Sequence, residues 1–546
     1  MISKNSLKFI SVVTLARLVS LSSALVVRNS PHISWAPCGN TTIPRECGRF
    51  EVPLDYADRK ASTATLAAIR LNATASPRLG TIFVNPGGPG ESGVDWVLSD
   101  DMAIILNGTG GQYDIVSWDP RGVGSTVPKV QCFDSGTEEI KFWNGSLRGT
   151  TLEVRTDFKN ATVRDEFYSH IDEVDSILVK FGKQCNAQSK DMLKYVGTAA
   201  TVRDMVALHD YLEGTELINY WGISYGTILG SYFVNMFPKR VGRVIIDGVV
   251  SPWDWATKQP LQIAYDSMNS TDATFDAFAS SCVTAGPSKC AIAQQGSTVD
   301  SIRDWVFNLI ALAYDNAKAT GGATVSSSQL RALLWANMYY PKNWPELARN
   351  LAQTYTALSN STTGNSTNGL ETRDLPRQIR PMPFTRRDNT NSSDPATDYA
   401  YQAVTCADAV DAGNSTTKQG FETVVDLTNK YTRMFGPWVG WQSGGMYCHH
   451  WPARAVERFT GPFNHTLKNK IIVIGNLADP VTPFGNAKAV AEALGDSAVL
   501  LKHNGYGHTS LYMHSNCTLA ATSKYFTTGE LPPNGTVCET DEQLFP

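Results

Sequence analysis

Short apolar runs that alternate with helical patterns organise most of the chain. The runs are rich in β-branched residues and end at loops containing Gly or Pro, which is typical of buried strands. The predicted strands are 81–85, 113–118, 218–221, 244–247, 471–474 and 498–501. Apolar residues at helical spacing predict helices between them, for example at about 227–237 and 486–494. This alternation indicates an α/β architecture, a mostly parallel sheet with helices on both faces.

The region 252–440 interrupts the alternation. It contains several helical patterns, but also a Ser/Thr/Asn/Gly-rich stretch at 359–368 and a Pro/Arg-rich stretch at 374–388, which predict exposed loops. Because the region stands between two predicted sheet strands, we interpret it as an inserted, mainly helical lid. The predicted organisation is a core in two parts, 25–251 and 441–546, on either side of the lid at 252–440.

The N-terminal residues 1–24 predict a secretory signal peptide. Lys4 and Lys8 precede an apolar segment, and Ser22 to Ala24 offer small residues for cleavage. Arg17 interrupts the apolar segment, and no later run of about 18 uncharged apolar residues follows in the sequence. We therefore expect a secreted, extracellular protein without a stable membrane anchor.

Composition and charge narrow the range of partners. The 546 residues are 42% hydrophobic and 18% charged, which is the composition of a globular protein. The net charge is −4, and no long run of Lys or Arg is present. Nucleic acid is therefore excluded as the main partner.

Cysteine and asparagine usage supports secretion. The ten cysteines are an even number without C-x-x-C clusters, which favours disulfides over zinc. Ten cysteines permit many connectivities; by proximity we pair Cys38 with Cys47, Cys132 with Cys185, Cys282 with Cys290, Cys406 with Cys448, and Cys517 with Cys538. The chain also has thirteen N-glycosylation sequons, at Asn40, Asn72, Asn107, Asn144, Asn160, Asn269, Asn360, Asn365, Asn391, Asn414, Asn464, Asn516 and Asn534.

A nucleophile motif stands between a predicted strand and a predicted helix. Residues 222–226 read Gly-Ile-Ser-Tyr-Gly, the G-x-S-x-G pattern in which a strained turn lifts a serine hydroxyl above the sheet edge. Ser224 is therefore the predicted nucleophile. A serine hydroxyl is a weak nucleophile and needs a histidine base oriented by a carboxylate, in the chain order Ser, acid, His.

His508 is the predicted base. It lies in a Gly-containing loop just beyond the last predicted strand, whereas His503 is still attached to that strand and is interpreted as structural. His449 and His450, beside Cys448, have no companion ligand at zinc spacing, so we interpret them as packing or surface residues and expect no metal.

Two aspartates compete for the role of the acid. Asp479 follows the strand one βα unit before the His508 strand, in a Pro-rich loop that fixes its position. Asp247 follows an earlier strand, and Asp before Gly commonly forms a turn. We favour Asp479 and keep Asp247 as the alternative.

The oxyanion of an acyl-transfer intermediate needs prepositioned N–H donors. The backbone N–H of Tyr225, directly after the nucleophile, is one expected donor. The second is expected from the Gly-rich loop 87–90 after an early strand, with Gly88 as the candidate. No Lys-Ser/Thr follows this loop, so it is not a phosphate-binding P-loop.

Five motifs together resemble the secreted α/β-hydrolases of the tripeptidyl-aminopeptidase and prolyl-aminopeptidase group. They are 85–93 (Asn-Pro-Gly-Gly-Pro-Gly-Glu-Ser-Gly), 118–124 (Trp-Asp-Pro-Arg-Gly-Val-Gly), 222–226, 479–483 (Asp-Pro-Val-Thr-Pro) and 507–509 (Gly-His-Thr). The final hundred residues resemble the C-terminal region of that group. The resemblance spans about 80–250 and 440–540 and does not extend to the lid.

This resemblance implies an α/β-hydrolase fold and a serine exopeptidase that acts on free N-termini without a cofactor. Such an enzyme needs an anion to bind the ammonium group of its peptide substrate, and Glu91 is the candidate. An esterase or lactonase acting on small esters remains the alternative, because amide and ester cleavage share the acyl-enzyme route. A non-catalytic binding protein is a third class, against which the presence of Ser224, Asp479 and His508 together counts.

Overall fold

One mixed sheet organises the molecule. The computed structural model describes residues 33–546 except 59, 147–152, 215, 322–323, 363–395, 397 and 439–447, so the predicted signal peptide lies outside the described residues. Within them, ten strands form the sheet: β1 (Ala36–Cys38), β2 (Arg45–Pro53), β3 (Thr63–Leu71), β4 (Thr81–Asn85), β5 (Asp114–Trp118), β6 (Ile218–Ile223), β7 (Val241–Asp247), β8 (Ile471–Ala478), β9 (Ala498–Tyr506) and β10 (Thr536–Glu539).

The sheet is parallel through its centre and antiparallel at one end. The strand order is β1-β2-β3-β5-β4-β6-β7-β8-β9-β10. β1, β2 and β3 pair antiparallel, and β3 also pairs antiparallel with β5. From β5 to β10 all neighbours are parallel, so the carboxyl ends of these strands lie along one edge. The mostly parallel sheet predicted from the sequence is thereby confirmed, and all six predicted strands are present in it.

Both faces of the sheet centre are buried. In β4 the side chains of Ile82 and Val84 belong to one apolar cluster, whereas Phe83 between them belongs to another. Successive side chains of a strand point to opposite faces, so each face is covered by its own cluster. A strand buried on both faces needs a continuous apolar run, which is why these strands were recognisable in the sequence.

Helices surround the sheet and fill the long connections. They are α1 (Gly93–Leu98), α2 (Met102–Gly108), α3 (Gly136–Trp143), α4 (Ala161–Tyr168), α5 (Ile171–Ser189), α6 (Thr198–Glu213), α7 (Gly226–Met236), α8 (Pro252–Thr257), α9 (Pro260–Ser267), α10 (Thr271–Ala285), α11 (Val299–Ala319), α12 (Ser327–Met338), α13 (Trp344–Thr362), α14 (Ala400–Asp408), α15 (Thr417–Lys430), α16 (Phe484–Leu494) and α17 (Asn516–Thr528).

The connection between β7 and β8 is mainly helical. Helices α8 to α15 occupy its described residues. A third apolar cluster lies largely within this connection and includes Phe278, Leu333 and Trp344, all fully buried. These helices therefore bury apolar side chains against one another as well as against the sheet. That this insertion acts as a lid stays a prediction.

Five disulfides are present, and they join the pairs proposed from sequence proximity. The eleven sequon asparagines that the structure describes are all exposed, while Asn365 and Asn391 lie outside the described residues. Among the described residues, no helix is both long and apolar enough to cross a membrane.

Candidate active site

The predicted nucleophile lies on a strained turn at the carboxyl edge of the sheet. β6 ends at Ile223 and α7 begins at Gly226, so only two residues connect them. Ser224 has φ +56°, a left-handed conformation that a non-glycine residue adopts at a cost and that marks a nucleophile elbow. Its backbone N–H donates to the carbonyl oxygen of Asp247 at 3.1 Å. The side chain is half-buried, so the hydroxyl is reachable.

Close backbone approach explains the two glycines of the elbow motif. A Cβ atom at Gly222 would lie 2.3 Å from the carbonyl oxygen of Gly226. A Cβ atom at Gly226 would lie 2.7 Å from the carbonyl oxygen of Asn85 in β4. Since real Cβ contacts are longer than this, the turn forms only with glycine at both positions.

His508 and Asp479 form a buried hydrogen-bonded pair. His508 Nδ1 lies 3.0 Å from Asp479 Oδ2 and 3.1 Å from Oδ1. The carboxylate also accepts the backbone N–H groups of Val481, Thr482 and Thr509, each at 2.9 Å. With Nδ1–H donating to the carboxylate, the other ring nitrogen of His508, Nε2, is left to accept a proton.

The environment of Asp479 keeps its carboxylate ionised. Complete burial alone would raise its pKa, but the charge of His508 and its hydrogen bond, together with the bonds from Thr482 and Thr509, lower the pKa below the ordinary value. An ionised, fully hydrogen-bonded carboxylate is suited to orient an imidazole and to stabilise its protonated form.

Asp247, the alternative acid, bonds to a different partner. Its Oδ1 accepts the backbone N–H of Ser510 at 3.0 Å, and its Oδ2 accepts the Ser510 hydroxyl at 2.5 Å. Burial raises its pKa from 3.8 to about 6, against the effect of these two hydrogen bonds. Both carboxyl groups therefore hold the loop around His508, but the carboxylate hydrogen-bonded to the imidazole is that of Asp479.

The Gly-rich loop after β4 lies against the nucleophile turn. A Cβ atom at Gly87 would be 2.9 Å from the Cβ atom of Ser224 and 3.0 Å from the backbone nitrogen of Tyr225. Gly87 is thus the loop glycine in contact with the elbow. A Cβ atom at Gly88 would instead meet Glu91, 2.9 Å from its nitrogen and 3.1 Å from its Cγ. Donation by Gly88 and Tyr225 to an oxyanion stays a prediction.

The motif 118–124 has a structural role that sequence reasoning did not assign. The Arg121 guanidinium is fully buried and pairs with Asp204 of α6 at 2.6 Å. Asp119 accepts the Ser92 hydroxyl at 2.6 Å and the backbone N–H of Val94 at 3.1 Å. Asp119 thereby anchors the end of the Gly-rich loop to the carboxyl end of β5.

The helical insertion contacts the loop that carries the acid. Ser270, directly before α10, donates its hydroxyl to the carbonyl oxygen of Asp479. Thr271 donates to the carbonyl oxygen of Pro480 at 2.7 Å, and Thr274 to that of Ala478 at 3.2 Å. The amino end of one insertion helix therefore fixes the loop that presents Asp479.

The insertion also contacts the base and the Gly-rich loop. Tyr339 lies just after α12, and the centroid of its ring is 4.8 Å from that of the His508 ring. The backbone carbonyl oxygen of Tyr339 also accepts the His508 backbone N–H at 3.1 Å. A Cβ atom at Gly90 would lie 2.7 Å from the nitrogen of Tyr401 in α14. Sequence reasoning missed Tyr339 and Tyr401 because nothing local in the sequence links them to the motifs.

The remaining candidate residues lie as follows. Glu91 is exposed at the end of the Gly-rich loop. His503 lies in β9 with Nδ1 3.0 Å from the hydroxyl of Thr518, and burial lowers its pKa to about 4. His450 Nε2 lies 2.8 Å from Asp175 Oδ1, so the fold supplies a companion that sequence spacing did not show for His449 and His450.

Known proteins resemble this chain over nearly its whole length. Residues 80–285 match the family described as alpha/beta hydrolase fold, and residues 434–538 match the family described as TAP-like protein. Serine protease Hip1 of Mycobacterium tuberculosis is 26% identical over 538 residues, covering 93% of this chain and 91% of Hip1. Tripeptidyl aminopeptidase of Streptomyces lividans is 25% identical over 533 residues, covering 96% and 89%. Carboxylesterase B of M. tuberculosis is 26% identical over 524 residues, covering 93% and 90%.

The two family matches include every motif named above and leave residues 286–433, most of the insertion, unmatched. The first contains the Gly-rich loop and the elbow of Ser224, and the second contains Asp479 and His508. The chain is a serine hydrolase of the α/β-hydrolase fold with a TAP-like C-terminal region, and it resembles the tripeptidyl aminopeptidases.

Proposed function

We propose that this protein is a secreted aminopeptidase that cleaves peptides near a free N-terminus through an acyl-enzyme on Ser224. The observation that carries the proposal is the buried His508–Asp479 pair on loops at the same sheet edge as the strained Ser224 turn. The hydrolase chemistry rests on these residues. The preference for peptides rests on the relatives named serine protease and tripeptidyl aminopeptidase.

In the proposed reaction, His508 Nε2 takes the proton of the Ser224 hydroxyl while its oxygen attacks the substrate carbonyl carbon. The carbonyl oxygen gains the negative charge and accepts N–H bonds from Tyr225 and the 87–88 loop. His508 then protonates the leaving amine, the C–N bond breaks, and an ester to Ser224 remains. Water, deprotonated by His508, hydrolyses this ester and restores the free serine.

The surroundings of the turn favour a closed cleft over an open groove. Insertion residues contact the acid loop at Ser270, the base at Tyr339 and the Gly-rich loop at Tyr401. Insertion segments that contact all three of these parts would limit how far a substrate extends beyond the reacting bond. An exopeptidase needs such a limit, and it also needs an anion for the terminal ammonium.

Glu91 is the proposed anion. Its Cγ lies close to Gly88 in the Gly-rich loop. Burial is the main cause that raises the pKa of Tyr339 and of Tyr512, and nearby groups, of which Glu91 is the weakest, raise it further. Because Glu91 adjoins the Gly-rich loop and Tyr339 packs against His508, we propose that Glu91 lies on the same side of the cleft as the base.

The second candidate function is an esterase acting on small acyl esters. A relative of equal similarity is named carboxylesterase B, and the same three side chains serve ester cleavage. The two functions differ in their need for a charged amino group on the substrate.

A substrate panel separates the two functions. We expect free tripeptide amides to be cleaved at least ~100-fold faster in kcat/KM than their N-acetylated forms, because acetylation removes the charge that Glu91 binds. Release is measured beside a short-chain ester. Equal rates on both peptides, or activity on the ester alone, would contradict the aminopeptidase proposal and leave the serine hydrolase intact.

A charge-matched pair of variants tests Glu91 itself. Glu91→Gln should lower kcat/KM for free peptides by ~10- to 100-fold, the range of one charge-assisted hydrogen bond, and leave ester cleavage unchanged. Asp95→Asn removes the same charge four residues further along, at an exposed position of α1, and should have little effect. Equal losses in the two variants would indicate a general charge effect and exclude Glu91 as the ammonium ligand.

Secretion and glycosylation are part of the proposal. Five disulfides and eleven exposed sequon asparagines support an oxidising, extracellular compartment. Expression in a eukaryotic secretory host should deliver the protein to the medium, starting after residue 24 and shifting in mass on treatment with an N-glycosidase. Retention in the cells with an unprocessed N-terminus would contradict this.

A further inference from the structure

Two adjacent histidines and an aspartate form a group of potential metal ligands outside the candidate active site. Asp175 lies on α5, and His449 and His450 follow Cys448. One ligand atom of each residue lies within 4.8 Å of those of the other two. His450 Nε2 is 2.8 Å from Asp175 Oδ1. Sequence spacing did not reveal this group because Asp175 and His450 are 275 positions apart.

The surroundings hold these side chains in place. Cys448, next to His449, is bonded to Cys406 of α14. The Thr417 hydroxyl, at the start of α15, lies 2.5 Å from Asp175 Oδ1 and 2.8 Å from His449 Nε2. The two imidazole rings are 4.2 Å apart between centroids. All three candidate ligands are half-buried, so they are positioned by the fold and remain reachable from solvent.

The donor set favours a transition-metal ion such as Zn²⁺ over Mg²⁺ and Ca²⁺. Two imidazole nitrogens and one carboxylate oxygen suit Zn²⁺, which binds His at about 2.0–2.1 Å and Asp at about 2.0–2.2 Å. Mg²⁺ and Ca²⁺ prefer sites made of oxygen ligands. Three protein ligands leave a fourth, tetrahedral position for water.

We propose that Asp175, His449 and His450 bind one Zn²⁺ ion, with water as the fourth ligand. Zinc binding replaces the hydrogen bond between His450 Nε2 and Asp175, and the proton of that hydrogen bond is released to solvent. The zinc ion would link α5, which carries Asp175, to the segment after α15, which carries His449 and His450. It would thereby connect two parts of the chain that are far apart in sequence. A ligand that binds only the folded state stabilises it in proportion to its concentration, so zinc stabilises this region.

Zinc binding is measured on the full, chelator-treated protein by calorimetry. The wild type should bind one Zn²⁺ per chain, and its thermal unfolding midpoint should rise with zinc but not with Mg²⁺ at the same concentration. Asp175→Asn, His449→Ala and His450→Ala should each weaken binding at least ~10-fold. His170→Ala removes a partly exposed histidine at the amino end of the same helix, 4.0 Å from the Glu173 carboxylate, and should bind zinc like the wild type.

Two further variants separate zinc binding from hydrogen bonding and from the triad. Thr417→Val removes the hydroxyl that contacts Asp175 and His449 but keeps all three ligands, so it should still bind zinc. His508→Ala should also retain the site, because His508 is not one of the ligands. If any ligand variant fails to fold, X-ray absorption of the zinc-loaded wild type reports the ligands directly, as two imidazoles and one carboxylate.

Three results would overturn the proposal by showing that these three side chains do not hold zinc together. They are the absence of saturable binding at one ion per chain, unchanged affinity in both Asp175→Asn and His450→Ala, or an absorption spectrum with fewer than two imidazoles. In each case the group is a hydrogen-bonded cluster only. Loss of binding in His508→Ala alone would also overturn it, because the zinc would then lie at the triad.

Discussion

At the scale of single residues, the predicted nucleophile Ser224 has a strained backbone conformation. Its φ of +56° is maintained by two hydrogen bonds, from its own N–H to Asp247 and from the Thr227 N–H to its carbonyl oxygen at 2.8 Å. The surrounding structure thus over-determines a conformation that is unfavourable in isolation, and this is the usual condition for strain to persist at a functional position.

Removing the hydroxyl of Ser224 tests its role. Ser224→Ala should abolish labelling by an organophosphonate probe and lower turnover at least ~10⁴-fold, since nucleophile and base act as a unit. Ser231→Ala, in the helix α7 that follows the turn, should label like the wild type. Labelling of the Ser224→Ala protein at another serine would contradict the assignment.

The two carboxyl groups near His508 predict different losses. Asp479→Asn should keep the fold and lower turnover ~10⁴-fold, because the amide favours the wrong imidazole tautomer. Asp247→Asn should cost much less, because its carboxylate bonds to Ser510. Steady-state kinetics of both folded variants decide the question. Near-normal turnover in Asp479→Asn with an inactive Asp247→Asn would show that the roles are reversed.

Asp247 also predicts a pH dependence of stability. Its pKa is raised from 3.8 to about 6 by burial, so between these values the folded protein holds a proton that the unfolded chain has lost. The free energy of unfolding therefore falls as pH rises from about 4 to about 6, by up to ~3 kcal/mol. Asp272, whose pKa burial also raises to about 6, contributes with the same sign.

Denaturant unfolding at pH 4 and pH 6.5 measures this effect. Asp247→Asn and Asp272→Asn should each lose part of the decrease seen in the wild type, and the double variant most of it. A pH dependence in Asp247→Asn as steep as that of the wild type would show that this carboxyl ionises in the folded protein as it does in the unfolded chain.

At the scale of elements, sequence patterns predicted what is local and missed what is long-range. β4 to β9 were recognisable because each carries an apolar run buried on both faces. β2 was missed because its exposed and buried positions alternate and include charged residues such as Arg49 and Glu51, and β10 because it has only four residues. The elbow of Ser224 was found because strand, turn and helix are contiguous in sequence.

The contacts of the insertion with the site could not be predicted in this way. Tyr339 contacts His508 because the end of α12 packs against the loop that follows β9. No sequence motif marks Tyr339 as a residue near the base. The same holds for Ser270 beside Asp479, and for Asp175 beside His450. Each of these pairs depends on how separate segments pack, which is a property of the folded chain.

The contact between α12 and the loop of the base predicts a sensitive glycine. A Cβ atom at Gly507, which has φ +85°, would lie 2.5 Å from Cδ of Pro341 and 2.8 Å from the carbonyl oxygen of Tyr339. Gly507→Ala should therefore displace His508 and lower kcat by ~10²-fold, the cost of a displacement of about 1 Å. Gly485→Ala in α16 meets no atom within 4 Å and should be as active as the wild type. Wild-type kcat in Gly507→Ala would show that this contact does not position the base.

At the scale of the whole molecule, two of the five disulfides lie in the long connection between β7 and β8. Within the described residues no cysteine is free, so thiol titration of the denatured, unreduced protein should find essentially none. Cys282–Cys290 closes a short loop inside the insertion, with a sequence separation of 8. Cys406–Cys448 has a separation of 42 and joins α14 to the segment after α15.

The two bridges predict different losses of stability when each pair is replaced by serine. In the loop-closure account, the stabilisation grows with loop length, to about 4 kcal/mol for Cys406–Cys448 against about 2.5 kcal/mol for Cys282–Cys290. Cys406 lies on α14, and Tyr401 of the same helix contacts the Gly-rich loop. Replacing the Cys406–Cys448 pair should therefore also lower kcat/KM. Cys282 lies at the far end of α10 from Ser270, so removal of that pair should leave kcat/KM nearer to the wild-type value. Denaturant unfolding and peptide cleavage by both double variants measure the two effects. Equal losses of activity would show that α14 holds the Gly-rich loop without help from its disulfide.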